Sequence, residues 1–243
     1  MRRTILSGCL AAALALPVQG LGDPLALPED VRFNVTLGGM PVGVLRLGTA
    51  QSPGHYAATA RLETTGLARL LRDVRFEASV QGLHRAGRLQ PQRYAGDVHT
   101  GTRGSSIEMV WDGGVPRVVR SRQAGAPQPW HLDPARQADV LDPMTVLLSV
   151  LADVPPEQAC QLDLPMFDGR RRAQVLVSRV RSRGHGLDCL GIFRRVAGYS
   201  DADMAEQRDF PFRLTFAPTG NGMLRVVTLE VDGSFGTTRL RRQ

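Results

Sequence analysis

Residues Cys160 to Val180 read CQLDLPMFDGRRRAQVLVSRV. Within them, Asp168-Gly169 is a strong signal for a two-residue hairpin turn, because a type I′ turn needs positive φ at both central positions. With that turn, Phe167 faces Arg170, and apolar residues alternate with polar residues along both strands. The stretch therefore predicts an antiparallel hairpin with one buried face and one exposed face.

The predicted register separates the three consecutive arginines that follow the turn. It places Arg170, Arg172 and Phe167 on the polar outer face, and Arg171 on the apolar face near the turn. The favoured interpretation is that the arginines are solvated, ion-paired strand residues. The alternative is a carboxylate or phosphate site that uses two of them.

The chain has three cysteines, and the hairpin stretch begins with one of them. Cys9 lies in an N-terminal segment that we expect to be removed, which leaves Cys160 and Cys189 as a predicted disulfide. In a simple meander the middle strand would hold these two residues about 9.6 Å apart, and a disulfide needs Cα atoms within about 7 Å. Either Cys160 lies in the preceding loop and crosses over, or the sheet folds sharply, or both thiols are free.

Alternating segments bounded by glycine or proline recur on both sides of the hairpin, from Val31 onward, and number about twelve. One helix is predicted at about residues 142–153, where Asp142 is a good N-cap and Pro143 suits the first helical position. Its residues are apolar nearly all round, which indicates burial on more than one side. A second, shorter stretch, GLARLLRD at 66–73, also has helical spacing.

These elements predict a mainly β fold. We expect a single long antiparallel curved sheet, a half-barrel or spiral, which wraps one buried α-helix. The concave face of such a sheet would suit the apolar helix. No repeat or linker divides the chain, so residues 21–243 are expected to form a single β-rich domain.

The first twenty residues, MRRTILSGCLAAALALPVQG, are typical of a secretory signal peptide. Two arginines precede an apolar run from Ile5 to Val18, and that run is too short to span a bilayer. We therefore expect an exported protein that does not span a membrane and that is soluble in the periplasm of a Gram-negative bacterium once residues 1–20 are removed.

The formal net charge is +7, and all thirty basic residues are arginine. The arginines are scattered, and a nucleic-acid surface would need a clustered basic face interleaved with aromatic residues. Nucleic acid is therefore not an expected partner.

Motifs that carry catalysis or bind metals are not evident in the sequence. The five histidines lack metal-ligand spacing, and the acidic group Asp201, Asp203 and Glu206 lacks the glycine and spacing of a calcium loop. The expectation is a protein that is not an enzyme and has no catalytic residues, cofactor or metal. Candidate contacts to a ligand or partner are Trp111, Trp130, Phe167, Arg170, Arg171, Arg172, Leu147 and Leu151.

Five stretches, in order, resemble the DUF3108 family, a bacterial cell-envelope family of unknown function: VTLGGMPVGVLRL, TTGLARLLRDVRFEASVQG, LDPMTVLLSVL, CQLDLPMFDGRRR and CLGIFRRVAGY. The resemblance covers about Val31 to Arg242 and implies an exported Gram-negative protein without established catalytic residues. By looser analogy the fold is similar to periplasmic lipoprotein carriers and receptors, whose curved sheet shelters an acyl chain.

The leading hypothesis for function is a periplasmic binding protein that supports the cell envelope and holds a lipid, another apolar ligand or an envelope protein segment in its curved sheet. One alternative is a structural scaffold that pairs with envelope proteins through its surface or sheet edges. A less favoured alternative is an enzyme that acts on lipid or glycan.

Overall fold

The computed structural model describes residues 27, 30–66, 74–85, 87–101, 104–122, 125–183, 186–233 and 236–243. The predicted signal peptide at 1–20 and nearly all of the predicted helical stretch at 66–73 lie outside these residues. Within the described ranges, no helix is both long and apolar enough to cross a membrane.

The structure is mostly β and forms one antiparallel sheet of thirteen strands, which confirms the predicted fold class. The spatial order is β7-β6-β5-β4-β3-β2-β1-β13-β12-β11-β10-β9-β8, so the first and last strands pair in the middle and β7 and β8 are the two ends. The sheet is not closed into a barrel. The strands are β1 Val31–Leu37, β2 Met40–Ser52, β3 His55–Thr64, β4 Val74–Arg85, β5 Arg88–Thr100, β6 Gly104–Asp112, β7 Val115–Arg122, β8 Leu162–Phe167, β9 Arg172–Arg183, β10 Gly186–Ala197, β11 Asp209–Pro218, β12 Leu224–Gly233 and β13 Gly236–Arg242.

The predicted helix is confirmed as α1, Pro143–Leu151, and it is buried on most of its surface. The Asp142 side chain caps it by accepting hydrogen bonds from the backbone N–H groups of Met144 and Thr145. The helix lies in the connection between β7 and β8, which also contains 3-10 turns at Pro134–Arg136 and Pro156–Gln158.

The sheet curves strongly around α1. The helix contacts β4, β5 and β8, although β5 is third and β8 is thirteenth in the sheet order. In a flat sheet those two strands would be about 48 Å apart, whereas a nine-residue helix is only about 14 Å long. The two ends of the sheet therefore come together over the helix, and the core lies on this inner face.

The predicted hairpin exists as β8 and β9, but the predicted register is wrong by two residues. Phe167 pairs with Arg172, and the Asp168 N–H donates to the Arg171 carbonyl oxygen, so the turn residues are Gly169 and Arg170. Asp168 does not have the positive φ that a type I′ turn needs there, whereas Gly169 has φ 96°. The Asp168 side chain instead accepts from the N–H groups of Arg170 and Arg171 and so holds the turn.

The outward orientation predicted for Phe167 is also wrong, because its side chain is 0% exposed and belongs to the core. The chain at Leu141 runs beside β8: the Leu141 N–H donates to the Pro165 carbonyl oxygen, and the Phe167 N–H donates to the Leu141 carbonyl oxygen. Strand β8 is therefore covered along the edge that a simple hairpin would leave in water.

The predicted disulfide between Cys160 and Cys189 is confirmed, with Cα atoms 5.4 Å apart. Cys160 lies before the start of β8 and has a left-handed φ of 61°. Cys189 is a buried residue of β10, on the other side of β9. Of the alternatives that the sequence left open, the structure shows the first: Cys160 lies in the preceding loop and crosses over.

A second helix, α2, was not predicted and spans Asp201–Glu206. Ser200 and Asp203 form a capping box, in which the Ser200 side chain accepts from the Asp203 N–H and the Asp203 side chain accepts from the Ser200 N–H. The acidic group that was considered for calcium therefore lies within a short helix, with Asp201 and Asp203 in its first turn.

Candidate functional site

A cavity of about 300 Å³ lies on the inner face of β4, β5 and β6, and we call it the turn cavity. Every second residue of this part of β5 faces the cavity, so Tyr94, Gly96 and Val98 form part of its wall. Phe76 lies directly across from Val98, and Ile107 directly across from Gly96. The lining residues are Phe76, Tyr94, Gly96, Val98, Ser105, Ser106, Ile107, Pro143, Asp168, Arg170 and Arg171.

Space in the turn cavity depends on a glycine. A Cβ atom at Gly96 would overlap the hydroxyl of Tyr94, which lies on the same face two residues earlier. Tyr94 is itself buried, and burial together with the charges of Asp142 and Asp168 raises the pKa of its phenol. Tyr94 is therefore a neutral hydroxyl that adds one polar group to an apolar wall.

The opposite side of the cavity is the β8–β9 turn, which packs on β6. Gly169 lies so close to Ile107 that a Cβ atom there would clash with the isoleucine side chain. This contact brings Arg170 and Arg171 to the cavity, although the sequence placed them on opposite faces. The alternation of a strand does not apply to them, because Arg170 is in the turn and Arg171 is the residue just after it.

The cavity rim carries a net positive charge from two arginines and one aspartate. The Arg171 guanidinium lies 5.4 Å from the ring centroid of Tyr199. Next to the rim, the pKa of His131 is lowered by burial and then by the charges of Arg170 and Arg171. The Leu132 N–H donates to the Arg170 carbonyl oxygen, so the chain around His131 is attached to the turn.

A buried polar network lies beside the cavity at the start of α1. The carboxylate of Asp142 accepts from the Thr145 hydroxyl at 2.5 Å, and the Thr145 hydroxyl oxygen is 2.8 Å from the Tyr56 hydroxyl. Because Thr145 donates its single hydrogen to Asp142, Tyr56 is the donor in the second bond. Burial raises the pKa of Asp142 to about 6, although its hydrogen bonds act in the opposite direction. Asp142 and Thr145 are 0% exposed, so the network holds the helix in place.

A larger concavity, of about 750 Å³, crosses β1 to β6 on the outer face. Its floor includes small residues such as Gly48, Ser79 and Ala95, and it contains charges of both signs. Several of these charges already pair with one another or with neighbours, as Arg61 does with Glu77 at 3.4 Å. We assign the turn cavity as the candidate site, because large apolar side chains form its wall and because its arginines, unlike Arg46 and Arg61 of the outer concavity, form no ion pair among the described residues.

The structure brings together three of the eight predicted contact residues and separates the others. Arg170 and Arg171 line the turn cavity, and Trp130, which is 43% exposed, stacks edge-on against His131 beside them. The indole N–H of Trp111 donates to the Val140 carbonyl oxygen on the inner side of β6. Leu147 and Leu151 belong to α1 and pack in the core, and Phe167 is also buried there. Arg172 is the strand partner of Phe167 and lies outside the cavity.

Sequence reasoning did not identify the sheet wall formed by Phe76, Tyr94, Val98 and Ile107. The available signal was alternation, because β4 shows apolar residues or glycine at every second position from Val74 to Gly82, and β5 does so from Tyr94 to Val98. That pattern identifies an inner face, but the same pattern occurs at packed core positions. In the parts of the chain that are described, histidine, cysteine and acidic side chains do not group in threes as a metal site would require.

Comparison with known proteins gives a family. Residues 32–187 match the model of DUF3108, described as a protein of unknown function. The chain belongs to the DUF3108 family. The matched range contains every residue that lines the turn cavity, as well as α1 and Cys160, and it ends just before Cys189. No curated protein matches the chain significantly.

One solved structure is similar over most of its length. It is a β-barrel-like protein of the domain of unknown function DUF1849 from Brucella abortus. The sequences are 11% identical, the match covers 90% of this chain and 96% of that chain, and the TM-score is 0.47.

Proposed function

We propose that this protein is an exported, non-enzymatic binding protein and that it holds one small molecule with an apolar body in the turn cavity. The observation that carries the proposal is the wall of the cavity, where Phe76, Val98 and Ile107 from three neighbouring strands face the β8–β9 turn. Ligand sites are typically concave, mainly apolar and about 300–1,000 Å³ in volume, with a few polar groups that fix orientation.

The volume of the cavity indicates how much of a ligand it can cover. A water molecule takes up about 30 Å³ in the liquid, and a methylene group takes up a similar volume, so 300 Å³ admits roughly ten such groups. A single short acyl chain or one substituted ring fits this space. A two-chain lipid would leave most of its apolar surface in water.

Export to the periplasm of a Gram-negative bacterium is part of the proposal. It is supported by the signal-peptide pattern of residues 1–20 and by the Cys160–Cys189 disulfide, since disulfides persist in oxidising compartments. A non-enzymatic role is favoured because the Asp142–Thr145 pair beside the cavity is inaccessible, and because Asp168, the carboxylate that lines it, is held by the backbone N–H groups of the turn. The ligand would serve envelope maintenance.

Native mass spectrometry of the protein released gently from the periplasm of producing cells tests the proposal. We expect a chain cleaved near residue 20, two hydrogens lighter than its reduced form, with a small apolar molecule bound to a fraction of it. An uncleaved chain in the cytoplasm would contradict export. Protein that is free of ligand and also fails to bind added 1-octanol would contradict the binding function, and a defined protein partner in place of a small molecule would favour the scaffold alternative.

Two substitutions, one on each face of β5, test whether the ligand binds in the turn cavity. Val98→Phe fills the turn cavity and should abolish 1-octanol binding, whereas Ala95→Phe adds an aromatic ring to the outer concavity and should leave it unchanged. Thermal melts of both variants check that the fold is retained. Equal binding by the two folded variants would place the ligand elsewhere.

A further inference from the structure

The arginines of this protein differ in how their charge is balanced. Along the outer face, arginines lie against carboxylates within 4.0 Å, as in the Arg194–Asp209, Arg239–Glu230 and Arg46–Glu63 pairs. Among the described residues, neither Arg170 nor Arg171 has a carboxylate within that distance. The positive charge at the turn cavity is therefore not neutralised by an ion pair.

Asp168 does not remove this excess charge. One of its carboxylate oxygens accepts from the backbone N–H groups of Arg170 at 2.9 Å and Arg171 at 2.8 Å. Its position is set by the turn, and it balances one of the two positive charges. Beside Tyr199 the charges of Arg195 and Asp203 offset each other, so the region keeps a net charge of about +1, next to an apolar wall where a counter-charge is weakly screened.

The turn places both arginines at the wall of the cavity. Gly169 packs against Ile107, the Arg170 carbonyl oxygen accepts from the Leu132 N–H, and the Arg171 guanidinium stacks on Tyr199. The first two contacts involve backbone and apolar atoms, and only the third involves a guanidinium. Within the described part of the chain, neither guanidinium donates a hydrogen bond or forms an ion pair, so their N–H groups are open to a ligand.

The geometry points to an anionic amphiphile as the ligand of the turn cavity: a carboxylate or phosphate head group bound by Arg170 and Arg171, with a single chain of up to about ten carbons against Phe76, Val98 and Ile107. This inference rests on the proposed binding function and adds the charge of the ligand. Guanidinium groups bind planar carboxylates and phosphates through paired N–H donors, and these bonds are among the stronger ones in proteins.

Calorimetric titration of the mature, oxidised protein with sodium octanoate, octyl phosphate and 1-octanol tests the inference. Each of the three probes has eight carbons, so differences in affinity report mainly the head group. We expect an anionic probe to bind at least about tenfold more tightly than 1-octanol, and its affinity to fall as salt is added. Comparison of the affinities for octanoate and octyl phosphate shows whether the site prefers a carboxylate or a phosphate head group.

Substitution of Arg170 and Arg171 tests the role of their charges, and substitution of the adjacent Arg172 is the control. The double variant Arg170→Gln/Arg171→Gln should lower the affinity for the tighter anion by roughly tenfold or more and leave 1-octanol unchanged. Arg172→Gln removes one positive charge from the neighbouring position outside the cavity and should bind as the unaltered protein does. Thermal melts of both variants show whether loss of the Tyr199 stack has altered the fold.

The outcomes separate the two proposals. If 1-octanol binds as tightly as the anions, or if the double variant and Arg172→Gln behave alike, the inference about the anionic head group is wrong and the binding function stands. If folded protein binds none of the three probes, the binding function itself is wrong. Selective loss in the double variant alone supports both proposals.

Discussion

Two features of the Asp142 environment have opposite effects on the ionisation of its side chain. As the N-cap of α1 it accepts from two backbone N–H groups and from the Thr145 hydroxyl, which favours the ionised form. It is also 0% exposed, and burial opposes ionisation more strongly than the hydrogen bonds favour it. The capping role could be predicted from Asp142-Pro143 because N-caps have a local signature. The buried hydrogen bond that joins Thr145 to Tyr56, 89 residues away, has no such signature.

The raised pKa of Asp142 predicts a specific pH dependence of stability. The pKa rises from 3.8 to about 6 on folding, so between these values the folded protein binds a proton that the unfolded chain has released. The free energy of unfolding contributed by this group therefore falls as the pH rises from about 4 to about 6, by ~3 kcal/mol in total. Asp142→Asn keeps a good N-cap but cannot ionise, and it should lack this fall.

Urea unfolding from pH 4 to pH 7 measures the effect as the difference between the unaltered protein and Asp142→Asn. Asp133→Asn is the matched control, because Asp133 also caps a helical turn but its side chain is 59% exposed. We expect the difference for Asp142→Asn to change with pH as described, and a change of the same size for Asp133→Asn would show that the effect is not specific to the buried carboxylate. Parallel curves for all three proteins would show that Asp142 titrates normally.

At the scale of elements, the β8–β9 hairpin shows how far local sequence rules extend. Alternation correctly placed Leu162, Leu164 and Val175 on one face, because a register error of two residues moves no side chain to the other face. The rule for Asp-Gly placed the turn one residue too early. Aspartate is also favoured at the residue before a turn, and that signal matches the structure. The choice between the two is made by the contact of Gly169 with β6, which is distant in sequence.

Gly169→Ala tests the importance of this contact. The substitution forces alanine into φ 96° and drives its Cβ into Ile107, so we expect a loss of stability of about 1–3 kcal/mol. In an Ile107→Val background, which removes the clashing atom, the same change should cost only the backbone part, about 1 kcal/mol. Gly220→Ala, at an open position without positive φ, is the control and should have little effect. Equal costs in the two backgrounds, measured by thermal melts, would show that the turn does not depend on β6.

At the scale of the whole molecule, the sequence predicted a curved sheet around a helix but not how the sheet closes on that helix. Pairing of β1 with β13 joins residues about 200 positions apart, such as Phe33 and Arg242, and local pattern contains no signal for it. This pairing brings the last strand to the centre of the sheet. It also places the charge of Arg242 at a position that alternation would assign to an apolar residue.

Three charged residues connect the chain that follows α1 to the centre of the sheet. Asp153 is 4% exposed, and its two carboxylate oxygens accept from the Arg225 Nε at 2.8 Å and 3.0 Å. The Val154 N–H donates to the Leu224 carbonyl oxygen beside them. Arg242 lies near both: burial and the charge of Arg225 lower its pKa, while Asp153 raises it. Its Nη1 is buried and has no hydrogen-bond partner among the described residues.

This arrangement predicts that Arg242 can replace Arg225 as the partner of Asp153. Arg225→Met alone should cost only about 1–2 kcal/mol, because Arg242 keeps a positive charge beside the carboxylate. Arg242→Met alone should be close to neutral, because it removes a partly desolvated charge that Arg225 repels. The double variant leaves Asp153 buried without a counter-charge and should cost about 3–5 kcal/mol, more than the two single costs added together.

Urea unfolding at pH 7 gives the free energies of unfolding of the unaltered protein, the two single variants and the double variant. Arg213→Met, on the outer face, is a control for the loss of an exposed ion pair. Additive costs would show that the two arginines act independently and that Arg242 has no share in holding the helix to the sheet.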